Sequence, residues 1–261
     1  MKERVLTAVV LLLVVIGALF FDPTGWAVKV LIVLVAGVCG IELGKLTKAP
    51  FINFVPGLLV GYMVFAWGSQ PDPILPLIFA LLAIPFIILS IMKSWSYFGF
   101  VSGTVWVCAS FSCFYQLASS KSPSIWPLLM TAAIPIWCGD TAAIFVGKAF
   151  GKHKLAPAIS PNKTWEGSIG NLLACVGAAL ALGAIFHYPM LLMVLLGLNC
   201  GILGQAGDLF ESWLKRKADA KDSGNILPGH GGLLDRLDSL MATAPISLLI
   251  LQSLVVPGTP K

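Results

Sequence analysis

Long apolar segments dominate this chain and limit it to folds that a lipid bilayer can accommodate. A helix needs about 20 apolar residues to cross a bilayer, and runs of about this length occur at residues 5–21, 26–44, 54–69, 73–92, 98–118, 125–147, 167–187, 189–210 and 233–256. Charged residues make up only 11% of the chain, against roughly 25% in an ordinary soluble domain. The sequence therefore predicts an all-α, polytopic membrane protein with about nine transmembrane helices.

The polar residues are unevenly distributed along the chain. Ionisable groups are sparse up to residue 130, whereas most of the acids and two long polar loops, 148–166 and 211–232, follow Asp140. No polar stretch is long enough to form a separate globular domain. We expect one integral membrane unit with an N-terminal scaffold half, residues 1–130, and a C-terminal catalytic half, residues 131–261.

The positions of the basic residues predict the topology. If the N-terminus is inside, only Lys29, Lys121 and Lys261 of the 17 Lys and Arg residues fall on the outer side. Cytoplasmic loops carry an excess of Lys and Arg, so both long loops are expected to face the cytoplasm. The net charge of +5 is then explained by topology and anionic lipid headgroups, and nucleic acid is not an expected partner.

Several familiar sites are missing from the sequence. The six cysteines are scattered through apolar segments without a CxxC pair, as is typical of small buried side chains. There is no GxxxxGK[ST] loop, GxSxG elbow or HExxH pair, and the three histidines lie far apart. A P-loop, a serine hydrolase elbow and a histidine-rich zinc site are therefore not expected.

The most polar stretch, residues 205–238, is bordered by apolar segments and holds six of the 12 acids. If the preceding helix continues through it, Asp208, Glu211, Ser212 and Lys215 share one face at i, i+3, i+4 and i+7. Asp208 would then lie just inside the membrane boundary, where ionisable groups are costly and usually functional. For Glu211 and Lys215 the alternative is an ion pair that stabilises the helix end.

A glycine-rich loop follows and leads into the last apolar segment. Glycines on both sides of His230 expose amide N–H groups to anionic oxygens, and a helix starting near Gly232 would direct its positive end there. Asp235 and Asp238 are one turn apart on that helix, so both can face the helix of Asp208. Carboxylates from two neighbouring helices suit a hard cation such as Mg²⁺. The alternative is a chance glycine-rich loop with capping aspartates.

A third polar region begins with an acid inside an apolar span. Asp140 is followed by lysines at positions 148, 152 and 154 and then by the segment 160–167. Ser160 before Pro161 suits a helix start, and the amides that follow, with Lys163 and Thr164, are expected to hold a polyphosphate. The alternatives are a structural hydrogen bond for Asp140 and a purely topological role for the three lysines.

These regions resemble a known family. The C-terminal stretch reads SWLKR (212–216), KDSG (221–224), LP (227–228) and HGGLLDRLD (230–238), and it is similar over about 27 positions to the signature of phosphatidate cytidylyltransferases, the integral membrane enzymes also called CDP-diacylglycerol synthases. The segments GDT (139–141) and SPNKTWEG (160–167) also resemble family motifs. The N-terminal half is similar in hydropathy only.

The resemblance implies a reaction, a cofactor and a location. The reaction is transfer of the cytidylyl group of CTP to phosphatidate, which yields CDP-diacylglycerol and pyrophosphate. It implies dependence on Mg²⁺ held by Asp208 and Asp235, with room for an assisting monovalent cation such as K⁺. It also implies a homodimer in the bacterial inner membrane, with the active site facing the cytoplasm.

The residues and the resemblance together assign roles at the site. Substrate binding is assigned to Asp140, Ser160, Asn162, Lys163, Thr164 and Glu166, with Lys163 and the amides of 160–164 on the CTP phosphates. Lys215 and Arg216 are expected to bind the phosphatidate headgroup, and Lys221, His230 and Arg236 to neutralise developing charge. Asp140, Asp222 and Asp238 are expected to orient these bases or to complete the metal shell around Asp208 and Asp235.

Two other functions remain open at this point. An ion-coupled transporter would use Asp140, Asp208 and Asp235 as an intramembrane relay, but the acids cluster at one surface and no inverted repeat is visible. A related lipid enzyme acting on a polyprenol or an archaeal ether lipid would use similar chemistry. The complete C-terminal signature favours phosphatidate over both.

Overall fold

A computed structural model describes Gly17 and residues 26–47, 95–118, 125–226 and 231–254. Within these ranges six long helices and one hairpin follow one another along the chain. The elements are α1 (Trp26–Leu46), α2 (Trp95–Ala118), α3 (Ile125–Phe150), β1 (Lys154–Ala156), β2 (Ser160–Thr164), α4 (Trp165–Phe186), α5 (Met190–Lys217) and α6 (Leu234–Ser253). The predicted spans 54–69 and 73–92, and all of 5–21 except Gly17, lie outside the described residues.

Four of the described helices are long and apolar enough to cross a membrane. They are Trp26–Leu46, Pro127–Phe150, Trp165–Phe186 and Met190–Lys217. Many of their large apolar side chains are exposed on the surface of the protein, for example Leu34, Phe145, Leu173 and Leu191, as is typical of helices that face lipid. The predicted class, a multi-pass helical membrane protein, is confirmed, whereas the count of nine helices stays a prediction.

The chain divides into two compact units. One comprises Met1–Ser120 with Leu214–Leu237, and the other comprises Lys121–Trp213 with Asp238–Lys261. In the first unit α1 packs against α2, and a Cβ added at Gly103 would lie 2.7 Å from the δ carbons of Leu43. The absence of a side chain at Gly103 thus lets the two helices approach closely.

Small residues also bring the helices of the second unit together. A Cβ at Gly139 of α3 would collide with the Cys175 sulfur of α4. A Cβ at Gly197 of α5 would lie 2.5 Å from the Cα of Val176 in α4. Apolar helices in lipid gain little from hydrophobic burial against each other, so close van der Waals packing across small residues holds them together.

The hairpin between α3 and α4 corrects one sequence-based expectation. Residues Ser160–Thr164 form a strand that pairs antiparallel with Lys154–Ala156, so the predicted helix start at Ser160 is wrong. The helix begins at Trp165, and the Thr164 hydroxyl accepts a hydrogen bond from the Gly167 N–H (3.1 Å). Strand pairing supplies backbone partners for this segment, and Thr164 acts as the N-cap that Ser160 was expected to provide.

The bounds of α5 and α6 refine the second polar loop. Helix α5 continues to Lys217, and therefore includes Asp208, Glu211, Ser212 and Lys215 as the helical spacing requires. The loop predicted for 211–232 is accordingly shorter. Three basic residues fill the last turn of α5, where they complement the negative end of the helix dipole. Helix α6 begins at Leu234, close to the predicted start near Gly232.

Candidate active site

Asp235 is the centre of a compact polar cluster in the first unit. Its Oδ1 accepts a hydrogen bond from Lys215 Nζ (2.7 Å). Its Oδ2 accepts from the backbone N–H of Ser223 (2.9 Å) and of Gly232 (2.8 Å). The side chains of Lys215 and Asp235 are only 13% and 7% exposed, so the ion pair lies in a largely dry environment where charge interactions are strong.

The backbone around this cluster depends on Gly231. Gly231 has a φ of 84°, in the region that glycine adopts without steric cost. A Cβ there would lie 2.9 Å from Asp235 Oδ2 and 3.3 Å from the Cβ of Asp222. Gly231 therefore lets the backbone approach the Asp235 carboxylate closely, whereas the predicted approach of the glycine-rich loop to an anionic ligand stays a prediction.

A second acid in the first unit forms hydrogen bonds with the same loop. Glu42 of α1 is fully buried. Its Oε1 accepts from Leu233 N–H (3.0 Å), and its Oε2 accepts from Leu234 N–H (2.8 Å) and from the Ser223 hydroxyl (3.3 Å). These two amides lie at the start of α6, where N–H groups have no partner within the helix. Glu42 thus acts as an N-cap supplied by a distant helix.

The other predicted residues of the first unit lie mainly at its surface. Arg216 Nη1 donates to the carbonyl of Ala220 (3.1 Å), which closes the end of α5. Lys221, Asp222 and Arg236 are exposed. His230 lies outside the described residues, and its expected role stays a prediction.

The second unit contains another lysine–aspartate pair. Lys163 Nζ, on β2, lies 2.6 Å from Asp208 Oδ2 on α5, with the side chains 24% and 35% exposed. The Ser212 hydroxyl, one helical turn along α5, donates to Asp208 Oδ1 at the longer distance of 3.4 Å. The hairpin thus places the lysine expected to bind nucleotide phosphates directly on one of the two aspartates expected to bind metal.

Asp140 belongs to the same region of the second unit. Asn171 Nδ2 on α4 donates to Asp140 Oδ1 (3.3 Å), and Cys175 donates to Asn171 Oδ1 (3.5 Å). Because Gly139 leaves no side chain between α3 and α4, the two helices approach closely enough for Asp140 and Asn171 to form this hydrogen bond. The Coulomb interactions of Asp140 include both Asp208 and Lys163, so these three charged groups form one electrostatic cluster.

Of the remaining predicted residues in and next to the hairpin, Glu166 and Thr164 have structural partners. Glu166 lies in the first turn of α4 and binds the exposed His153, with Glu166 Oε1 2.7 Å from His153 Nδ1. Thr164 caps α4, and its side chain is buried. Ser160 is partly exposed, and Asn162 is exposed. The hairpin therefore presents Lys163 and Asn162, while Glu166 and Thr164 hold it against the start of α4.

Comparison with known proteins identifies the family. A family profile described as the cytidylyltransferase family matches residues 2–254. The chain is 36% identical to a phosphatidate cytidylyltransferase of Staphylococcus aureus over 97% of this chain and 100% of that protein, and 36% identical to that of Bacillus subtilis over 96% and 97%. The chain belongs to the cytidylyltransferase family. The Brucella suis phosphatidate cytidylyltransferase is 46% identical over 48% of this chain and 47% of its own length.

Within the described residues, a lysine–aspartate pair lies in each of the two units of this cytidylyltransferase family member. Lys215 with Asp235, and Lys163 with Asp208, were each singled out from the sequence, but their pairing was not foreseen. Among the described residues no group of three or more His, Cys, Asp or Glu side chains is arranged to hold a metal ion. Asp238 is buried, and its Oδ1 accepts from the N–H of Ser239 (2.6 Å).

Three residues with evident roles were missed by the sequence analysis. Glu42 caps α6, Ser223 bonds to both Glu42 and Asp235, and Asn171 holds Asp140. For Glu42 a signal was available, because an acid in the otherwise apolar segment 26–44 is unusual in a transmembrane helix. For Asn171 the only local signal was a polar amide in an apolar helix.

Proposed function

We propose that this protein transfers the cytidylyl group of CTP to phosphatidate. A phosphate oxygen of phosphatidate attacks the α-phosphorus of CTP, the bond from that phosphorus to the β-phosphate oxygen breaks, and pyrophosphate leaves with CDP-diacylglycerol as the second product. The observation that carries the proposal is the match of nearly the whole chain to proteins named phosphatidate cytidylyltransferase. The polar clusters at the ends of apolar helices support it.

The chemistry explains why the clusters contain lysines and carboxylates and need no general base. The attacking phosphate oxygen is already ionised at neutral pH, so the difficulty is to bring two polyanions together and to stabilise the leaving pyrophosphate. Lys163 would bind CTP phosphates by exchanging Asp208 for phosphate oxygens. Lys215 and Arg216 would bind the phosphatidate headgroup, and the exposed Lys221 and Arg236 would neutralise charge that develops in the transition state.

The proposed cofactor is Mg²⁺, and the carboxylates fit it to different degrees. Mg²⁺ prefers oxygen ligands and takes only one or two protein carboxylates, with water and substrate phosphates completing its shell. Asp208 has lone pairs to spare beside Lys163 and Ser212. Both oxygens of Asp235 already accept hydrogen bonds, so Asp235 would bind metal by releasing Lys215. Bound Mg²⁺ would neutralise phosphate charge and stabilise the departing pyrophosphate.

The remaining proposals concern the whole molecule. We place the protein in the bacterial inner membrane with its polar loops and active site at the cytoplasmic face, in line with the distribution of Lys and Arg. The full chain is proposed to contain nine transmembrane helices, with a scaffold half (1–130) and a catalytic half (131–261), and to form a homodimer. A monovalent cation such as K⁺ would assist Mg²⁺, and no nucleic acid takes part.

Substitution of the two proposed metal ligands tests this function. Purified protein is mixed with radiolabelled CTP, phosphatidate and Mg²⁺, and the release of labelled pyrophosphate is followed with each substrate or Mg²⁺ omitted. We expect Asp208→Asn and Asp235→Asn each to lower kcat at least about 100-fold, as loss of electrostatic transition-state stabilisation does. Both variants should still insert into membranes and elute like the wild type in detergent.

Asp219→Asn is the matched control. Asp219 is an exposed acid in the same polar stretch with a φ of 54°, a conformation that asparagine also accepts. This variant should keep wild-type activity. Near-normal turnover by either of the other two variants would contradict the assigned metal ligands, and wild-type protein that releases no pyrophosphate would contradict the reaction itself.

A further inference from the structure

Glu42 is a buried acid for which the proposed chemistry has no direct use. Glu42 lies near the C-terminal end of α1, four residues before the helix ends at Leu46, and it is 0% exposed. A buried carboxylate is costly unless it is hydrogen-bonded. Three donors meet it, namely the amides of Leu233 and Leu234 and the hydroxyl of Ser223.

The donors to Glu42 alternate with the donors to Asp235. The Ser223 hydroxyl binds Glu42 while the Ser223 N–H binds Asp235 (2.9 Å). The consecutive amides of Gly232 and Leu233 likewise divide between Asp235 (2.8 Å) and Glu42 (3.0 Å). Two segments of the loop are thus each held between the two acids, so a displacement at Glu42 must be transmitted to the groups that fix Asp235.

The loop is also fitted closely around the Glu42 carboxylate. A Cβ at Gly224 would lie 2.5 Å from Glu42 Oε1, and one at Gly232 would lie 2.8 Å from both carboxylate oxygens. Each of these glycines leaves room for the acid where any other residue would not. The fit leaves the carboxylate little freedom, and the loop is correspondingly tied to the position of α1.

We propose that Glu42 is a positioning residue for Asp235. It would act by holding the loop amides and the first turn of α6 so that the Asp235 carboxylate stays aligned with Lys215. The catalytic role of Asp235 in this proposal rests on the proposed function. The mechanical link, by which the loop hydrogen bonds connect Glu42 to Asp235, does not depend on that function. It extends the active machinery to a helix of the N-terminal half, in which no site residue was expected.

Hydrogen–deuterium exchange of the purified full chain, without CTP or Mg²⁺, tests the mechanical link. The variant Glu42→Gln keeps the volume but replaces one acceptor oxygen with an NH₂ group, which leaves a buried backbone donor without a partner. We expect amide exchange in residues 223–226 and 231–235 to accelerate at least about tenfold, with exchange in the centre of α2 unchanged. Thr47→Val is the matched control, because the buried Thr47 hydroxyl donates only within α1, to Leu43 O (2.9 Å), and it should leave loop exchange unchanged.

Steady-state kinetics test the catalytic consequence. We expect Glu42→Gln to lower kcat at least about tenfold and to raise the Mg²⁺ concentration that gives half-maximal rate, while KM for CTP at saturating Mg²⁺ stays within about twofold. Thr47→Val should leave all three parameters unchanged. Glu42→Gln with normal loop exchange or normal kcat would overturn the proposal. Equal acceleration of exchange throughout α1, α2 and the loop would also overturn it, since it indicates general destabilisation.

Ser223→Ala is a second, milder variant that serves if Glu42→Gln does not fold. It removes the hydroxyl bond to Glu42 and keeps the amide bond to Asp235, so the same segments should exchange faster by a smaller factor. Unchanged exchange in Ser223→Ala would then count against the link. If the wild type lacks cytidylyltransferase activity while Glu42→Gln still loosens the loop, the reaction is wrong and the positioning of Asp235 stands.

Discussion

At the scale of single residues, Asp208 and Asp235 differ in the number of hydrogen bonds that their carboxylate oxygens accept. Asp208 shares its carboxylate with one lysine and one distant hydroxyl, whereas Asp235 accepts from one lysine and two backbone amides. A carboxylate has about four lone-pair positions, so the proposed cation would find more of them free at Asp208 than at Asp235. This difference was invisible in the sequence, in which both residues are simply aspartates near apolar helices.

Gly231→Ala is predicted to disturb the Asp235 cluster. An alanine at φ 84° is strained, and its Cβ would lie 2.9 Å from Asp235 Oδ2. We expect stability to fall by about 1–3 kcal/mol together with a clear loss of pyrophosphate release, measured by thermal unfolding in detergent and by the CTP assay. Gly177→Ala is the control, because a Cβ there meets nothing within 4 Å and alanine is the better helix former. Equal stability of the two variants would contradict the strained backbone at Gly231.

The pairing of charged residues was only partly predictable. Lys163, Asp208, Lys215 and Asp235 were all identified from the sequence, because charged groups beside apolar helices stand out. Their partners were not, since each pair joins residues that are 20 or more positions apart. Glu42 illustrates this limit of sequence-based prediction most clearly. The acid is evident in the sequence, but its structural role depends on hydrogen bonds from Ser223, Leu233 and Leu234.

At the scale of helices and strands, hydrophobic length determined where helices occur, and local hydrogen bonding determined where they end. The predicted segment 167–187 became α4, Trp165–Phe186. The helix begins at Trp165 and not at Ser160, where a helix start was also predicted, because β2 pairs with β1 and Thr164 caps the helix. Helix α5 continues several residues beyond its apolar segment. Polar side chains on one face and basic residues in its last turn stabilise this extension.

The close contact of α5 with α4 is predicted to depend on Gly197. A Cβ at Gly197 would lie 2.5 Å from the Cα of Val176, a backbone atom that cannot rotate away, whereas a Cβ at Gly204 would lie 3.6 Å from a methyl group of Thr243. We expect Gly197→Ala to lower stability by about 1–3 kcal/mol, as overpacking does, and Gly204→Ala to have little effect. Thermal unfolding of both variants in one detergent measures the difference, and a stable Gly197→Ala would show that α4 and α5 can separate.

At the scale of the whole molecule, helix α4 determines which loops share a side of the membrane. Its 22 residues extend about 33 Å at 1.5 Å per residue, close to the roughly 30 Å of a bilayer core. The hairpin precedes this helix, and the turn at His187 follows it with a left-handed φ of 57°. The positive-inside pattern predicts that the lysine-rich hairpin faces the cytoplasm, which would place the turn at His187 on the outer side.

Cysteine labelling tests this topology. In a background with the six native cysteines replaced by alanine, Lys152→Cys and His187→Cys both introduce a thiol at an exposed position. A membrane-impermeant maleimide added to intact cells should label His187→Cys only, and inside-out vesicles should label Lys152→Cys only. Labelling of both variants from the same side would contradict a membrane-spanning α4.

The sequence by itself determined the class of the protein and its family. Runs of apolar residues and contiguous motifs are local properties, so the sequence alone indicates the helical membrane fold, the cytidylyltransferase signature and most of the charged candidate residues. Only the tertiary structure decided which residues form hydrogen bonds and ion pairs with one another. Glu42 reaches Ser223 and Leu234 across 181 and 192 positions of chain, and such contacts arise from the packing of helices, which no local pattern encodes.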